Sequence, residues 1–581
     1  MKLNAGRIRH LSGSVLLALF AAGLTRSAQA QTPDTTAVFD AARKAELEAE
    51  EAIRKYAEFK PGPPYNGQEC DEHIGKWCVY YEPAGQQPPK EPGKVGKARA
   101  QAIVALKQAF DLAPGRTATV FPLVRLLVKD GRPDEAVQVA QAYARASDNA
   151  EAHMVTGYAL HYARQTEDAL EEFGKWIAAL PPARRHKIED IDWLVPPGMA
   201  EKYRMSAPKL WRYADALYMT AGNETLVDHF ARHAYTHMMA VRPVPSNGEP
   251  WAADEDQLII RFGPDVVVTR FFVSGRLNVA QSFLGHWDNT AHTYFPPDFE
   301  RVVAMRAPVD TLWPTDTLVG RSGHAPPVIR FMRTLQHQAA VFPRMKTLIV
   351  AGGTKTDKAS AGKPLTGALF LLDANLRVIA RSDAVAKNLG DSLVFVGQMP
   401  VPDDARFFSA EVYDTATRFA ARARYRLEMP AVSERLALSG IMLTKPFTAG
   451  DLPSGRSDSS ATPLSRPVVA PGQTVGVYSE LTITGEQALS VDVELEVRSI
   501  DKPSTVTRLA GWVGSRLGFA GNSSTPGRLG WTLEVLPHQN NVIALTVAPG
   551  KLDAGRYLIT LKVTDPAGGG VVLAEREFLS R

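Results

Sequence analysis

The sequence predicts an α+β protein of several domains, with helical repeats first and two antiparallel, immunoglobulin-like β-sandwiches after them. Three observations support this prediction. Amphipathic helical segments follow one another from residue 98 to about residue 182. Short runs of β-branched and aromatic residues, separated by turn residues, dominate the chain after residue 250. The length of 581 residues is sufficient for several domains of roughly 150 residues each.

The first thirty residues have the pattern of a cleavable signal peptide. Basic residues precede an apolar stretch from Val15 to Leu24, and Ala-Gln-Ala at 28–30 is a small-x-small cleavage site. The apolar stretch is too short to span a bilayer. We therefore expect a mature chain that begins near Gln31 and is periplasmic or secreted. The first cysteine is Cys70, so we do not expect a lipoprotein.

The charge of the mature chain is close to zero. The whole sequence has 66 Lys and Arg against 62 Asp and Glu. The signal segment has four basic residues and no acidic one, so its removal leaves 62 of each sign. Proteins that bind nucleic acids usually carry a basic excess, so we expect no nucleic acid partner. No later stretch is long and apolar enough to predict a transmembrane segment.

The region from 31 to 97 predicts one helix followed by a loop with both cysteines. The helix runs from Ala37 to Phe59 and has apolar residues at spacings of three and four. Cys70 and Cys78 lie close together, and two close cysteines favour a disulfide in an oxidising compartment. A metal site with His73 is the less favoured alternative, because structural zinc usually has four ligands.

Small residues recur at a fixed interval between residues 98 and 182. Ala102, Ala136 and Ala169 are separated by 34 and 33 residues. The last alanine lies in a run that also contains Gly157, Phe173 and Pro181. This period and pattern resemble those of tetratricopeptide repeats, which are stacked helical hairpins. The resemblance implies a helical domain over 98–245 that binds a protein partner on a concave face.

The segment after the repeats is the most distinctive part of the chain. It contains Trp211, the turn Gly-Asn-Glu at 222–224 and the run Arg-Phe-Gly-Pro at 261–264. With Leu-Ala-Leu-Ser-Gly-Ile-Met-Leu at 436–443, these features resemble GWxTD-type exported proteins of environmental bacteria, although the naming pentapeptide is not intact. The resemblance covers about 200–445 and implies no catalytic residue.

The C-terminal half predicts many short strands. The region 246–445 begins with a strand at 257–262, after which Arg261, Gly263 and Pro264 form a structural turn. Residues 446–468 are rich in Pro, Ser, Gly and Thr and are expected to be a linker. From 469 to 581, alternation of apolar and polar residues, as in Val491 to Arg498, predicts the immunoglobulin-like sandwich.

Three histidines are the clearest candidates for metal chemistry. His229, His233 and His237 stand at i, i+4 and i+8 of a predicted helix, near one face. Two histidines one turn apart can share a metal ion, but the Glu that follows the first His of zinc-protease helices is replaced by Phe230. Three ligands over two turns of a straight helix cannot all reach one ion. We interpret the histidines as packing residues and expect no cofactor.

These patterns favour an exported, non-enzymatic protein of the bacterial cell envelope that binds an envelope protein or peptide through helical repeats. No catalytic motif is intact in the sequence. Two alternatives stay open: a metal-dependent hydrolase built on the histidine helix, and a glycan-binding envelope protein that uses Trp512 and Trp531 as an aromatic platform.

Overall fold

The computed structural model describes residues 35–58, 72–75, 77–80, 91–195, 200–204, 207–241, 253–263, 267–272, 279–284, 326–329, 331–355, 365–389, 392–448, 452–456, 461–501, 510–512, 528–539, 541–548 and 553–581. The proposed signal peptide, Cys70 and Pro264 lie outside these residues. The cleavage site and the Cys70–Cys78 disulfide therefore stay predictions.

The first part of the chain is helical, as the sequence predicts. Its helices are α1 (Thr35–Glu58), α2 (Gly93–Leu112), α3 (Thr117–Lys129), α4 (Pro133–Ala146), α5 (Ala150–Tyr162), α6 (Thr166–Ala179), α7 (Pro182–Glu189), α8 (Ala200–Arg204), α9 (Ala207–Ala214), α10 (Glu224–Ala240) and α11 (Ala253–Phe262).

Helices α1 to α6 form three consecutive hairpins that share one apolar core. Ala102, Ala136 and Ala169 lie in α2, α4 and α6, the second helices of the hairpins, and all three are fully buried. Gly157 of α5 allows α6 to approach closely, because a Cβ at this position would lie 2.9 Å from Cδ1 of Phe173. The predicted hairpins are thus confirmed, with small residues where two helices meet.

The stretch 257–262 is helical, so the strand expected there is wrong. It is the C-terminal part of α11, and three acidic residues at 254–256 lie in the first turn, where negative charge stabilises a helix. A short apolar run such as 258–260 fits a buried helix as well as a strand. Gly263 has a φ of +89° and donates its N–H to the carbonyl of Ile259 (2.7 Å), which ends the helix.

The chain after α11 is rich in strands, and two short strands lie earlier, between α1 and α2. These are β1 (Glu72–Ile74), β2 (Trp77–Tyr80), β3 (Val267–Phe272), β4 (Val279–Leu284), β5 (Phe331–Thr334), β6 (Gln336–Phe342), β7 (Thr347–Lys355), β8 (Thr366–Leu372), β9 (Val378–Leu389), β10 (Ser392–Pro400), β11 (Phe407–Asp414), β12 (Phe419–Arg426), β13 (Ala431–Val432), β14 (Leu436–Leu438), β15 (Met442–Thr444), β16 (Val468–Val469), β17 (Val475–Ile483), β18 (Leu489–Ser499), β19 (Ala510–Trp512), β20 (Arg528–Val535), β21 (Asn541–Ala548), β22 (Gly555–Thr564) and β23 (Val571–Ser580).

Strands β5 to β12 form the middle unit. Their order is β5-β12-β11-β8-β9-β10-β7-β6, and all pairs are antiparallel except β5 with β12. The long strand β9 pairs with β8 through 378–384 and with β10 through 385–389, so it links two halves of the sheet. Apolar side chains from both halves meet in one core. The first four strands, β1 to β4, form a separate sheet in the order β1-β2-β4-β3.

Two sheets form the C-terminal unit. One has the order β13-β14-β17-β21-β19, with β15 also on β17, and the other has the order β16-β23-β22-β18-β20. Side chains of both sheets share a core, and β18 alternates between buried and exposed residues as its sequence predicts. The antiparallel strands expected from the sequence are therefore present.

The boundary between the two strand-rich units lies earlier in the chain than the sequence indicates. Residues 436–444, expected to close the middle domain, form β14 and β15 and pair with β17 of the C-terminal unit. The expected linker 446–468 is also packed where it is described, since Pro463 bridges to Thr444 and Ala461 is buried. Pairing with residues 32 to 47 positions later in the chain decides this assignment, and it leaves no local sequence signal.

Hydrogen bonds of two side chains, Gln338 and Arg576, link the middle unit to the C-terminal unit. The fully buried amide of Gln338 on β6 donates to the carbonyls of Leu443 (2.8 Å) and Leu464 (2.6 Å) and accepts the N–H of Leu443 (2.8 Å). Arg576 adds a second link, because its guanidinium donates to the carbonyls of Ala339 and Ile441. The two units are thus joined by hydrogen bonds between side chains of one and main-chain groups of the other.

Candidate functional site

Helices α3 and α5 are the first helices of adjacent hairpins, and one shared surface of theirs is the candidate binding site. We call this surface the repeat face; its residues are Phe121, Arg125, Glu151, Tyr158 and His161. Such surfaces of stacked hairpins are the usual contact sites of helical repeats. The structure shows, however, that another helix of the same chain lies against it.

Helix α10 covers the repeat face. Near its start, Asp228 contacts the imidazole Nε2 of His161 at the end of α5 (3.1 Å). Near its end, the imidazole of His237 contacts Glu151 at the start of α5 (3.0 Å) and lies 6.1 Å from the ring of Phe121 on α3. Helix α10 therefore runs antiparallel to α5 and also reaches α3.

Buried charges hold α10 in this position. Asp228 accepts from Arg232 one turn later (2.7 Å), and both side chains are 1% exposed. Arg232 also donates to the main-chain carbonyls of Ile260 and Arg261 (3.0 Å each) at the end of α11. Carbonyls at a helix C-terminus lack intrahelical partners, so this arginine satisfies them. The carbonyl of Arg261 thus helps to position α10, and the turn of Arg261, Gly263 and Pro264 stays a prediction.

A second buried ion pair lies on the other side of the repeat face. Arg125 of α3 donates to Glu50 of α1 (2.8 Å), and its guanidinium faces the ring of Tyr235 on α10 at 6.0 Å. Both charged side chains are nearly inaccessible to solvent. Breaking such a pair by removing one partner typically costs about 3–5 kcal/mol. The repeat face is therefore closed in this structure.

The three candidate metal ligands do not share a common partner. His229 packs on Trp211 (5.0 Å between ring centroids) and contacts the carbonyl of Ile188 through Nε2 (2.8 Å). The ring of His233 lies 4.6 Å from that of His229, whereas His237 contacts Glu151 on another helix. Among the described residues, no group of three His, Cys, Asp or Glu side chains could hold a metal ion.

Burial keeps two of these histidines in their neutral form. It lowers the pKa of His229 to about 4 and holds the pKa of His233 well below its usual value. Both rings are therefore neutral at physiological pH. Their contacts in this structure are those of packing residues.

The distinctive segment around Trp211 forms a joint between the helices and the middle unit. Arg424 of β12 donates to the carbonyls of Tyr213 (2.7 Å) and Asp215 (2.9 Å) at the end of α9. Arg422, two residues earlier on the same strand, donates to the carbonyls of Asp215 and Ala216 (2.9 Å each). Two arginines of a sheet thus cap the end of a helix.

The turn that follows is capped from the other side. Asn223 accepts the N–H of Leu226 (2.9 Å) and so caps the N-terminus of α10, while its amide donates to the carbonyl of Trp211 (2.8 Å). Gly222 has a φ of +87° and sits against Thr166 of α6. The turn recognised in the sequence therefore positions α9 and α10 relative to each other.

Three carboxyl groups lie inside the joint. Glu411 of β11 accepts from Arg424 (3.0 Å), from the hydroxyl of Ser409 (2.7 Å) and from the N–H of Met219 (3.0 Å). The carboxyls of Asp215 and Glu224 interact with each other, and burial raises the pKa of Asp215 to about 7 and that of Glu224 well above its usual value. We define these three carboxyls with Arg422 and Arg424 as the charged joint.

Sequence reasoning missed the sheet side of the charged joint. The run 421–424 alternates Ala with Arg and looks like part of a strand with one solvent-exposed face. Both arginines are instead almost completely buried beneath α9. The signal in the sequence was arginine at every second position beside alanine. It indicates buried arginines only when it is known that a helix packs on that side of the strand.

The remaining candidates have structural positions. Pro181 is exposed and precedes α7, where its carbonyl accepts from the N–H groups of Arg184 and Arg185 (3.0 Å each). Trp531 is half-buried and packs partly against the core of the C-terminal unit. In the part of the chain that the structure describes, no helix has the length and hydropathy needed to cross a membrane.

Comparison with known proteins identifies one repeat family. Residues 97–159 match the model described as tetratricopeptide repeat, which confirms the resemblance for α2 to α5. No curated protein matches the chain.

Several solved structures resemble parts of the chain weakly. A FixG-related protein from Vibrio parahaemolyticus is 12% identical (TM-score 0.15), over 26% of this chain and 99% of that one. A putative membrane anchored protein from Corynebacterium diphtheriae is 11% identical (TM-score 0.15), over 42% and 58%. A family 123 glycoside hydrolase from Clostridium perfringens is 8% identical (TM-score 0.15), over 25% and 27%. TM-scores this low carry no weight for fold or function.

Proposed function

We propose that this chain is an exported, non-enzymatic protein of the bacterial cell envelope that binds a protein partner through its helical repeats. The observation that carries the proposal is the match of residues 97–159 to tetratricopeptide repeats, together with the stacked hairpins that contain them. Stacked helical hairpins function chiefly as binding surfaces.

Because of the position of α10, we place the partner-binding site on the outer surface of the repeats. Because α10 covers the repeat face, a partner has to contact the helices elsewhere. Helix α2 exposes two large apolar side chains two turns apart, Val104 (57% exposed) and Leu112 (42%). Most residues of this size and type in the same hairpins are buried, so this outer surface of α2 is the proposed contact.

The strand-rich units act as a rigid support in this proposal. We infer that both are β-sandwiches of the immunoglobulin-like kind and that the region from about 200 to 445 is of the GWxTD type. The two halves of the middle sheet share one core and the two C-terminal sheets share another, which supports the first inference. The capped turn at 222–224 supports the second. The hydrogen bonds of Gln338 and Arg424 link the units and the helices, which favours a scaffold with fixed geometry.

Site-specific photo-crosslinking in intact cells tests the proposal. A benzophenone amino acid at Val104 is compared with the same group at Val378, an exposed valine (45%) of the middle unit. A discrete crosslinked protein is expected from position 104 only, and Leu112→Asp in the same chain should abolish it. Equal products from both positions, or a product insensitive to the Leu112 change, would contradict binding through α2.

Export is tested separately. N-terminal sequencing of the protein recovered from the periplasm or medium is expected to begin near Gln31. Recovery of the chain from the cytoplasm with its first thirty residues intact would contradict the proposed location.

A further inference from the structure

The charged joint contains an odd number of charged side chains. Arg422 and Arg424 supply two positive charges that are permanent in proteins. Asp215, Glu224 and Glu411 supply three carboxyl groups, and each of the five side chains belongs to a residue no more than 7% exposed. If all three carboxyls were ionised, the joint would bury one unbalanced negative charge. One proton on the three carboxyls makes the joint neutral.

The hydrogen bonds indicate where that proton resides. Glu411 accepts three hydrogen bonds, one of them from Arg424, so its ionised form is well solvated by the protein. The two arginines donate to the main-chain carbonyl of Asp215 rather than to its carboxylate, and its Oδ1 has no hydrogen-bond partner. Glu224 accepts from two uncharged donors, the N–H of Leu217 (3.3 Å) and the hydroxyl of Thr220, whereas Glu411 accepts from a guanidinium. The proton therefore belongs to the pair formed by Asp215 and Glu224.

We propose that the charged joint is a proton-dependent latch, in which one proton shared by Asp215 and Glu224 holds α9 and the start of α10 on strands β11 and β12. The latch is closed while the proton is bound and weakens when it is lost. Glu224 is the first residue of α10. Loss of the proton would therefore loosen the helix that covers the repeat face, at its N-terminal end.

The direction of the pH dependence follows from the proton count. Carboxyls exposed on opening titrate near pH 4, whereas the buried pair keeps its proton at higher pH. Between about pH 5 and pH 7 the closed joint holds one more proton than the opened one. The opening constant should therefore rise up to tenfold for each pH unit in this window. The charged and titratable groups that face the pair are Glu411, Arg422, Arg424, Tyr218 and Tyr413.

Hydrogen exchange of the full-length protein between pH 5 and pH 8 tests the latch. After correction for the intrinsic pH dependence of exchange, peptides covering 207–224 and 407–426 should exchange faster as pH rises. Asp215→Asn and Glu224→Gln each leave two carboxylates against two arginines, so each should abolish most of this pH dependence. The exposed residue Asp404, changed to Asn, is the matched control and should behave as the wild type.

The double variant Asp215→Asn, Glu224→Gln gives the sharpest test. It leaves one carboxylate against two buried arginines, so it should open more readily than either single variant at every pH. Wild-type pH dependence in both single variants would overturn the proposal. A double variant as protected as the single ones would also overturn it, because charge balance would then have no effect.

Discussion

The contact between Gly157 and Phe173 allows the packing of the repeats to be tested with one pair of matched substitutions. Gly157 lies in the interior of α5, and Gly174 lies in the interior of α6. A Cβ at Gly157 would meet three ring atoms of Phe173 at 2.9–3.0 Å, whereas a Cβ at Gly174 would meet nothing within 4 Å. Changing each to Ala therefore adds the same methyl group to a crowded site and to an open one.

The expected effects have opposite signs. Ala in a helix interior is about 0.5–1 kcal/mol more favourable than Gly, so Gly174→Ala should stabilise α6 by that amount. The same gain applies at Gly157, but overpacking a core typically costs about 1–3 kcal/mol. Phe173 cannot easily move, because it is fully buried and contacts Trp176 and Phe230. Gly157→Ala should therefore destabilise the hairpin by about 1 kcal/mol.

Hydrogen exchange of peptides from α5 and α6 in the full-length protein measures both effects locally, which avoids a two-state assumption for a chain of several units. The two variants should differ by about 2 kcal/mol, or roughly thirtyfold in the local opening constant. Phe173→Leu in the Gly157→Ala background should recover part of the loss, since it removes the ring. Equal stabilisation by both glycine substitutions would refute the reasoning from close packing.

Three further predictions concern other buried contacts. Asn223→Ala should reduce the thermal stability of the helices by about 1 kcal/mol through loss of the α10 cap, and Asn223→Ser should restore most of it. Gln338→Leu removes three hydrogen bonds between the strand-rich units and should cost about 3 kcal/mol, seen as faster exchange around Leu443; unchanged exchange would contradict this. Burial lowers the pKa of His229 to about 4, so the unfolded chain binds a proton that the folded ring does not between about pH 6.5 and pH 4. The denaturant midpoint should therefore decrease as the pH is lowered through that window. His229→Phe should make this decrease smaller.

Some elements follow from local sequence because one surface of each is buried in a regular pattern. The alanines of α2, α4 and α6 recur at the repeat interval, and β18 alternates at every residue. The hairpin turn between β8 and β9 follows from Asp373, whose carboxylate accepts the N–H groups of Asn375 (2.7 Å) and Arg377 (2.8 Å). Such patterns depend on backbone period and turn chemistry, which neighbours along the chain set.

Features that depend on contacts between distant parts of the chain could not be predicted from local sequence. The run 257–262 is compatible with helix or strand on its own residues, and burial beside Arg232 selects the helix. The strand at 436–438 belongs to the C-terminal unit because its partner, β17, follows some 40 residues later. The hydrogen bonds of the charged joint span about 200 residues, as between Arg422 and the main-chain carbonyl of Asp215. Contacts of this range leave no periodic signal in the sequence.

By itself, then, the sequence determined the order of helices and strands in outline, the repeat period and the residues that pack within each hairpin. It does so because secondary structure and short-range packing follow from the spacing of apolar, small and turn residues. The tertiary structure alone decided that α10 closes the repeat face and that Arg422 and Arg424 cap α9. Both depend on which surfaces meet after folding. Whether a charged side chain can be buried depends on the groups that pair with it in the folded chain, and local sequence does not show these.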